Sequence, residues 1–251
     1  IKEAKLFGTV EVVASSKDKN YSYIPRGFQI PGDAAYFHYT TNNTIEGTQM
    51  HFVPETNVPL VADMSSDILS CSMDFNRFAL IYAGAQKNIG AAGVNMVVVN
   101  KNILGKVKRQ LPSMMDYRKH IENGSMLNTP PVFAIYVCML TLRWLKEQGG
   151  VAAIEKINDQ KAALLYDTID NIPIFRPTVA KEDRSKMNVV FVIDNPEQEK
   201  AFLDLCKKEG MVGVKGHRSV GGFRVSLYNA LPLSSVHALT DVMKHFALQY
   251  A

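Results

Sequence analysis

One lysine of this chain stands where a solvated lysine has little reason to be. Lys87 follows the apolar run Phe78 to Ala83 and sits among small residues in Ala83-Gly84-Ala85-Gln86-Lys87-Asn88-Ile89-Gly90. An amine just past a buried strand is partly desolvated and close to backbone, conditions that suit it to form an imine with an aldehyde. The segment Val61-Ala62-Asp63-Met64-Ser65-Ser66 ends an earlier apolar run on a carboxylate. If the two runs are parallel strands of one sheet, Asp63 and Lys87 emerge at the same edge. A pyridoxal ring needs that pair: a lysine for its aldehyde, and an acid that keeps the ring nitrogen protonated so that the ring withdraws electrons from a substrate carbon. Taken alone, Lys87 could equally be a surface lysine in a glycine-rich turn, and Asp63 a cap for the segment after it.

A second constellation lies towards the C-terminus. The stretch Lys215-Gly216-His217-Arg218-Ser219-Val220-Gly221-Gly222-Phe223-Arg224 gathers three cations and a histidine, with glycines that let backbone come close to a ligand. That composition suits an anion, although a solvated basic turn would carry the same residues. His51, His120, His237 and His245 show no metal-ligand spacing with cysteines or carboxylates, so no metal is expected. His38, in an apolar run, reads as a packed core histidine. The helical stripe Tyr136, Met139 and Trp144, with Cys138 within it, reads as core.

The elements that must position these groups follow from periodicity. The runs 35–39, 58–62, 78–83 and 94–99 are too evenly apolar to have a wet face and read as strands of a covered sheet with loops at their ends. Thr129-Pro130-Pro131 opens a helix to Gln148, ended by Gly149-Gly150, and a second helix runs over 151–172 until Pro173. Strand, helix, strand and helix over 188–193, 197–209, 223–227 and 234–248 suggest a smaller α+β domain, with the boundary near Gly149. The chain opens on Ile1 with no Met, as though partway through a helix.

Composition narrows the class. With 47% hydrophobic and 21% charged residues over 251 positions, the chain is an ordinary folded protein. A net charge of +4 with no block of like charges gives no reason to expect nucleic acid, and no long apolar run suggests a membrane span. Three widely spaced cysteines in apolar surroundings, Cys71, Cys138 and Cys206, point to a reducing cytoplasm rather than a disulfide framework.

Four segments together carry a family resemblance. Residues 62–66, 82–90, 128–131 (Asn-Thr-Pro-Pro) and 215–224 look like those of the phosphoserine aminotransferases, pyridoxal-phosphate enzymes of class V and fold type I. The resemblance runs from near residue 30 to the C-terminus. It implies an α/β fold like that of aspartate aminotransferase, with a mixed, mostly parallel sheet in a large domain whose C-terminal portion is 1–149, and a small C-terminal domain over 150–251. It further implies a Schiff base on Lys87, which then serves as the base that moves the substrate α-proton, with Asp63 on the pyridine nitrogen, Thr44 near the ring hydroxyl and Gln86 on the cofactor phosphate. Asn128 and Thr129 would reach the cofactor phosphate of a partner subunit, giving a homodimer with shared sites; an N-cap is their plainer use. Arg224 would fork onto the substrate α-carboxylate, while His217 and Arg218 help hold the substrate phosphate. The reaction implied is amino transfer between glutamate and 3-phosphohydroxypyruvate, giving phosphoserine and 2-oxoglutarate for serine biosynthesis, with a phosphorylated hydroxy-threonine of pyridoxine biosynthesis as a related substrate. The family's chain begins upstream of Ile1. Rival readings are another class V enzyme, such as a cysteine desulfurase-like or alanine:glyoxylate-type protein, and a non-catalytic scaffold of the same fold.

Overall fold

Evenly apolar runs become strands here, although the sheet they join is sealed on one face only: Leu60, Ala62, Ile81 and Ala83 are buried, while Asn95 to Val99 has no buried residue, which corrects the expectation of a covered sheet. The computed structural model describes residues 1–250. In chain order they form β1 (Phe37–Thr40), β2 (Asn42–Asn43), β3 (Thr48–Gln49), β4 (Leu60–Asp63), β5 (Leu80–Gly84), β6 (Asn95–Val99), α1 (Tyr117–Glu122), α2 (Val132–Glu147), α3 (Val151–Asn171), β7 (Arg176–Pro177), β8 (Asn188–Val192), α4 (Pro196–Lys208), β9 (Phe223–Ser226) and α5 (Leu233–Leu248). The four apolar runs of the first half are β1, β4, β5 and β6, which lie side by side in the order β1-β4-β5-β6. The first three are parallel and β6 is antiparallel to β5. Thr40 pairs with Asp63 and Asp63 with Tyr82, so β4 and β5 run out at one edge, where α/β sheets keep their sites. The opening residues form only a short 3₁₀ turn, Ala4–Leu6, rather than the end of a helix.

The apolar residues divide into two cores. One, built on the sheet, holds Tyr39, Leu60, Ala62, Ile81 and Ala83, with Cys138 contributed by α2. The other holds Leu165 and Ile169 of α3, the strands of the antiparallel sheet β7-β8-β9, and Phe202 and Phe246 from α4 and α5. The change from one to the other falls between α2 and α3, where Gly149 and Gly150 take positive φ.

Two further sequence expectations are corrected. His38 is not in the core: it is exposed on β1, its ring stacked against Tyr82. The α2 stripe is not core either. Only Ala134, Cys138 and Leu145 are buried, while Val132, Phe133, Ile135, Tyr136, Leu140 and Leu142 are exposed, so the helix turns one narrow strip to the sheet and a broad apolar face outward. Periodicity reports an apolar face without telling what covers it.

Candidate active site

Lys87 lies three residues past the end of β5, half-buried, in a turn closed by Gly90 N–H donating to Ala85 O at 2.7 Å. The turn is pressed so tightly onto α2 that a Cβ on Gly90 would lie 2.7 Å from Cys138 Cα. That contact explains the glycine closing the motif. The Lys87 ammonium donates to Thr44 Oγ1 at 2.8 Å and stands 5.9 Å from the centre of the Tyr228 ring. Thr44 itself is placed by the tight β2–β3 hairpin.

Asp63 ends β4 half-buried on the same edge. One of its oxygens, Oδ1, accepts from Ser65 N–H at 2.9 Å, so the carboxylate also caps the turn after the strand, and its two readings coexist. Its neighbour Tyr82 feels it: burial first, and then the Asp63 carboxylate, push the phenol up to about 12. The Tyr82 hydroxyl also lies 2.9 Å from His38 Nε2. Burial holds the His38 imidazole below its ordinary range, with Asp63 pulling the other way.

The small domain reaches this edge through a polar joint. Asn42 Nδ2 donates to Ser66 Oγ and to Asn188 Oδ1, both at 2.8 Å, while the Ser185 hydroxyl donates to Asn42 Oδ1. Asn188 Nδ2 donates to the Tyr228 hydroxyl at 3.1 Å. Ser226 pairs with Asn188 and Arg224 with Val190, so alternation along β9 puts Arg224 and Ser226 on one face, and the chain carries on to Tyr228 at the same period. Arg224 therefore shares the face whose far end lies beside Lys87. Its Nε is buried with no partner, one of two such side-chain atoms among the described residues. A buried guanidinium N–H without an acceptor is costly, which sets Arg224 apart from the solvated cations of the loop before it.

The basic loop is folded on itself. Gly216 N–H donates to Gly222 O at 2.7 Å, and a Cβ on Gly216 would collide with the Gly221 carbonyl, so this glycine serves loop closure rather than ligand approach. Ser219 N–H donates to His217 Nδ1 at 3.3 Å and the Ser219 hydroxyl lies 2.7 Å from the same nitrogen, so Nδ1 is engaged within the loop. Arg218 is exposed. Gln86 is exposed beside Lys87. Asn128 and Thr129 are exposed as well, and they do not cap α2: its N-cap is Pro131 with no side-chain hydrogen bond, because the two prolines carry the chain past them before the helix begins. Among the described residues no group of three or more potential metal ligands occurs, and no helix is long and apolar enough to cross a membrane.

Thus the fold brings Lys87 and Thr44 into contact and sets Asp63 at the end of the strand beside them, while Arg224 lies on the face of β9 that leads towards Tyr228, and Asn128, Thr129 and Arg218 stand on the surface of the single chain. Tyr228, Asn188, Asn42 and Ser66 escaped the sequence reading. An Asn opening the fully apolar run of β8 was the available signal.

A lysine just past the end of a parallel strand, with a carboxylate ending the adjacent strand, is the pair that a pyridoxal-phosphate ring needs, and the chain belongs to the class V aminotransferase family, whose model matches residues 1–239. Its relatives are more particular. It is 59% identical over 244 residues to the phosphoserine aminotransferase of Flavobacterium johnsoniae, covering 97% of this chain and 68% of that protein. Superposition on the phosphoserine aminotransferase of Bacillus circulans subsp. alkalophilus gives a TM-score of 0.96 at 45% identity, over 100% of this chain and 70% of that one. A PLP-bound phosphoserine aminotransferase from Trichomonas vaginalis gives 0.91 at 38% identity, over 97% and 71%. The fold is therefore the type I fold of pyridoxal-phosphate enzymes, its mixed sheet mostly parallel.

Proposed function

We propose that this chain is a pyridoxal-phosphate-dependent phosphoserine aminotransferase, moving an amino group between glutamate and 3-phosphohydroxypyruvate in serine biosynthesis. The observation that carries this reading is the Lys87 amine, half-buried between Thr44 and Tyr228 on the strand edge that Asp63 shares. When bound, the cofactor supplies an aldehyde and an electron-withdrawing ring. Lys87 would hold the cofactor through its amine and, when that amine is free, would carry a proton to and from the substrate α-carbon. Asp63 would keep the pyridine nitrogen protonated, Thr44 would serve the ring hydroxyl, and Gln86 would hold the phosphate. Arg224 would take the substrate α-carboxylate with its guanidinium, while His217 and Arg218 would hold the substrate phosphate. The last pair favours a phosphorylated substrate over those of other class V enzymes.

The protein acts as a homodimer in the cytoplasm. The outward apolar face of α2 supports the dimer: contiguous exposed apolar surface marks an interface, and Asn128 and Thr129, exposed just before it, would complete a partner's phosphate site. The change of core at Gly149-Gly150 supports a division into 1–149 and 150–251.

Visible absorption of the purified protein with pyridoxal phosphate tests the reading. A band should appear on cofactor addition, bleach with phosphoserine and not with serine, and be absent from Lys87→Ala, whose turnover should fall by at least about 1,000-fold. Appreciable turnover in that variant refutes the role of Lys87. A folded dimer that never binds the cofactor supports a non-catalytic scaffold instead.

A further inference from the structure

Lys161, in the middle of α3, is fully buried, and no carboxylate answers it. Its Nζ donates to three backbone carbonyls: Leu227 and Tyr228 at 2.9 Å each, and Leu231 at 3.1 Å. An ammonium has three N–H donors and no acceptor, so three carbonyls consume it completely; a neutral amine would turn its lone pair on one of them. Burial lowers its pKa only to about 8, which leaves the ammonium as the form present at neutral pH. A buried charge without a counter-charge is an expensive way to fill a helix–sheet core that a Leu or Met would fill as well. The cation is explained by what it holds.

What it holds is the connection from β9 to α5, and that connection touches the reacting lysine twice. Tyr228 lies 5.9 Å from Lys87 Nζ. Asn229 N–H donates to Asn88 Oδ1 at 3.0 Å, and Asn88, the residue after Lys87, donates onward to Ile68 O at 3.0 Å. Asn158, one turn before Lys161 on the same side of α3, donates to Asn229 Oδ1 at 2.9 Å and to Ser70 O at 3.0 Å. Asn229 Nδ2 in turn donates to Leu69 O at 2.9 Å. Helix α3 thus grips the segment from behind through Lys161 and Asn158, while the front of the segment meets Asn88 and Lys87.

We infer that Lys161 is a positioning residue for the Lys87 amine: by binding three carbonyls of residues 227–231 it keeps Tyr228 beside that amine and Asn229 clamped to the turn that carries it. Lys161 touches neither substrate nor cofactor. The inference rests on the reading of Lys87 as the reacting amine.

The test is Lys161→Met, which keeps the length and apolar stem and removes the charge. Expected are a kcat about tenfold lower with KM for phosphoserine within about twofold, and, in cofactor-free protein, hydrogen exchange about tenfold faster at the amides of Asn88, Tyr228 and Asn229 with the Phe191 and Phe202 amides unchanged. Wild-type kcat in the variant overturns the inference. So does exchange that quickens evenly through the small domain, which would make Lys161 a mere prop of the core. Should Lys161→Met not fold, Lys161→Gln keeps donors at shorter reach and carries the same comparison, with reduced kcat at unchanged KM in support and wild-type kcat against. If the unsubstituted protein shows no visible band with pyridoxal phosphate, the reading of Lys87 fails and the inference falls with it, an outcome recognisable without any variant.

Discussion

The two cores of this chain are finished to different degrees. In the small domain Phe202 sits fully buried with ring centroids of Phe175, Phe223 and Phe246 at 5.2, 5.1 and 5.1 Å, and Phe191 stacks on Phe223 at 5.0 Å. Every one of those rings is covered by residues of the same chain. The sheet of the large domain instead leaves Val97 of β6 and most of the apolar face of α2 uncovered. Lys87 and Asp63 lie on the unfinished side, at the ends of β4 and β5, and the finished side meets it through polar contacts that include the Asn188 and Ser185 side chains, the Tyr228 ring and the Asn229 N–H. The contrast separates two tasks. A sealed aromatic core supplies stability locally, and a polar joint lets it act as a fixed block against which a site open to ligands and partners is set.

Breaking the sealed core should have the largest effect on folding. Phe202→Ala removes a ring packed against three others and should destabilise the protein by about 3–5 kcal/mol in urea unfolding. A loss under about 1 kcal/mol would mean that the core collapses around the cavity and that the two regions do not differ as described.

The joint is sharpened by a buried carboxylate beside it. Asp67 accepts from Thr41 Oγ1 at 2.5 Å and from Gln49 Nε2 at 3.2 Å, yet burial outweighs these bonds and raises its pKa from 3.8 to about 6. With the folded value above the unfolded one, the native state holds this proton more tightly. Stability is therefore greatest below about pH 4 as far as this group is concerned, and falls by roughly 3 kcal/mol as pH rises through 6. Unfolding midpoints of the wild type and of Asp67→Asn between pH 4 and 7 isolate this contribution, since the other carboxylates cancel. The wild-type curve should fall relative to that of the variant; parallel curves would show that the hydrogen bonds compensate the burial.

Much of this contrast could be read from the sequence, and the unread part has physical reasons. Short apolar runs bounded by turn residues mark β1, β4, β5 and β6 whatever covers their second face, and Lys87 and Asp63 stand out as charges at the ends of such runs. The hairpin β2–β3 and strand β7 have two residues per strand, too few to show any period, so Thr44 was reached through resemblance alone. Lys161 looks in the sequence like one more charge between apolar positions of a surface helix. It falls nevertheless on the buried side of α3 with Ile154, Asn158, Leu165 and Ile169, a spacing that marks it as inward-facing. The stripe on α2 misled in the opposite direction, since helical spacing reveals a face and is silent about the partner that covers it.

That face offers the mildest perturbation, and one that decides what the unfinished side is for. Phe133 is 78% exposed and Val132 is 70% exposed at the start of α2, immediately after the loop bearing Asn128 and Thr129. A surface change there has little to disturb within the chain, so Phe133→Glu should alter the stability of the isolated subunit by no more than about 0.5 kcal/mol. If a second copy covers this face, two introduced carboxylates per dimer would be desolvated without partners, and sedimentation velocity should show the dimer giving way to monomer. Turnover should fall in step with the dimer fraction, because Asn128 and Thr129 would no longer reach the neighbouring site. An unchanged sedimentation coefficient together with full activity would show that the apolar face of α2 is not where the copies meet.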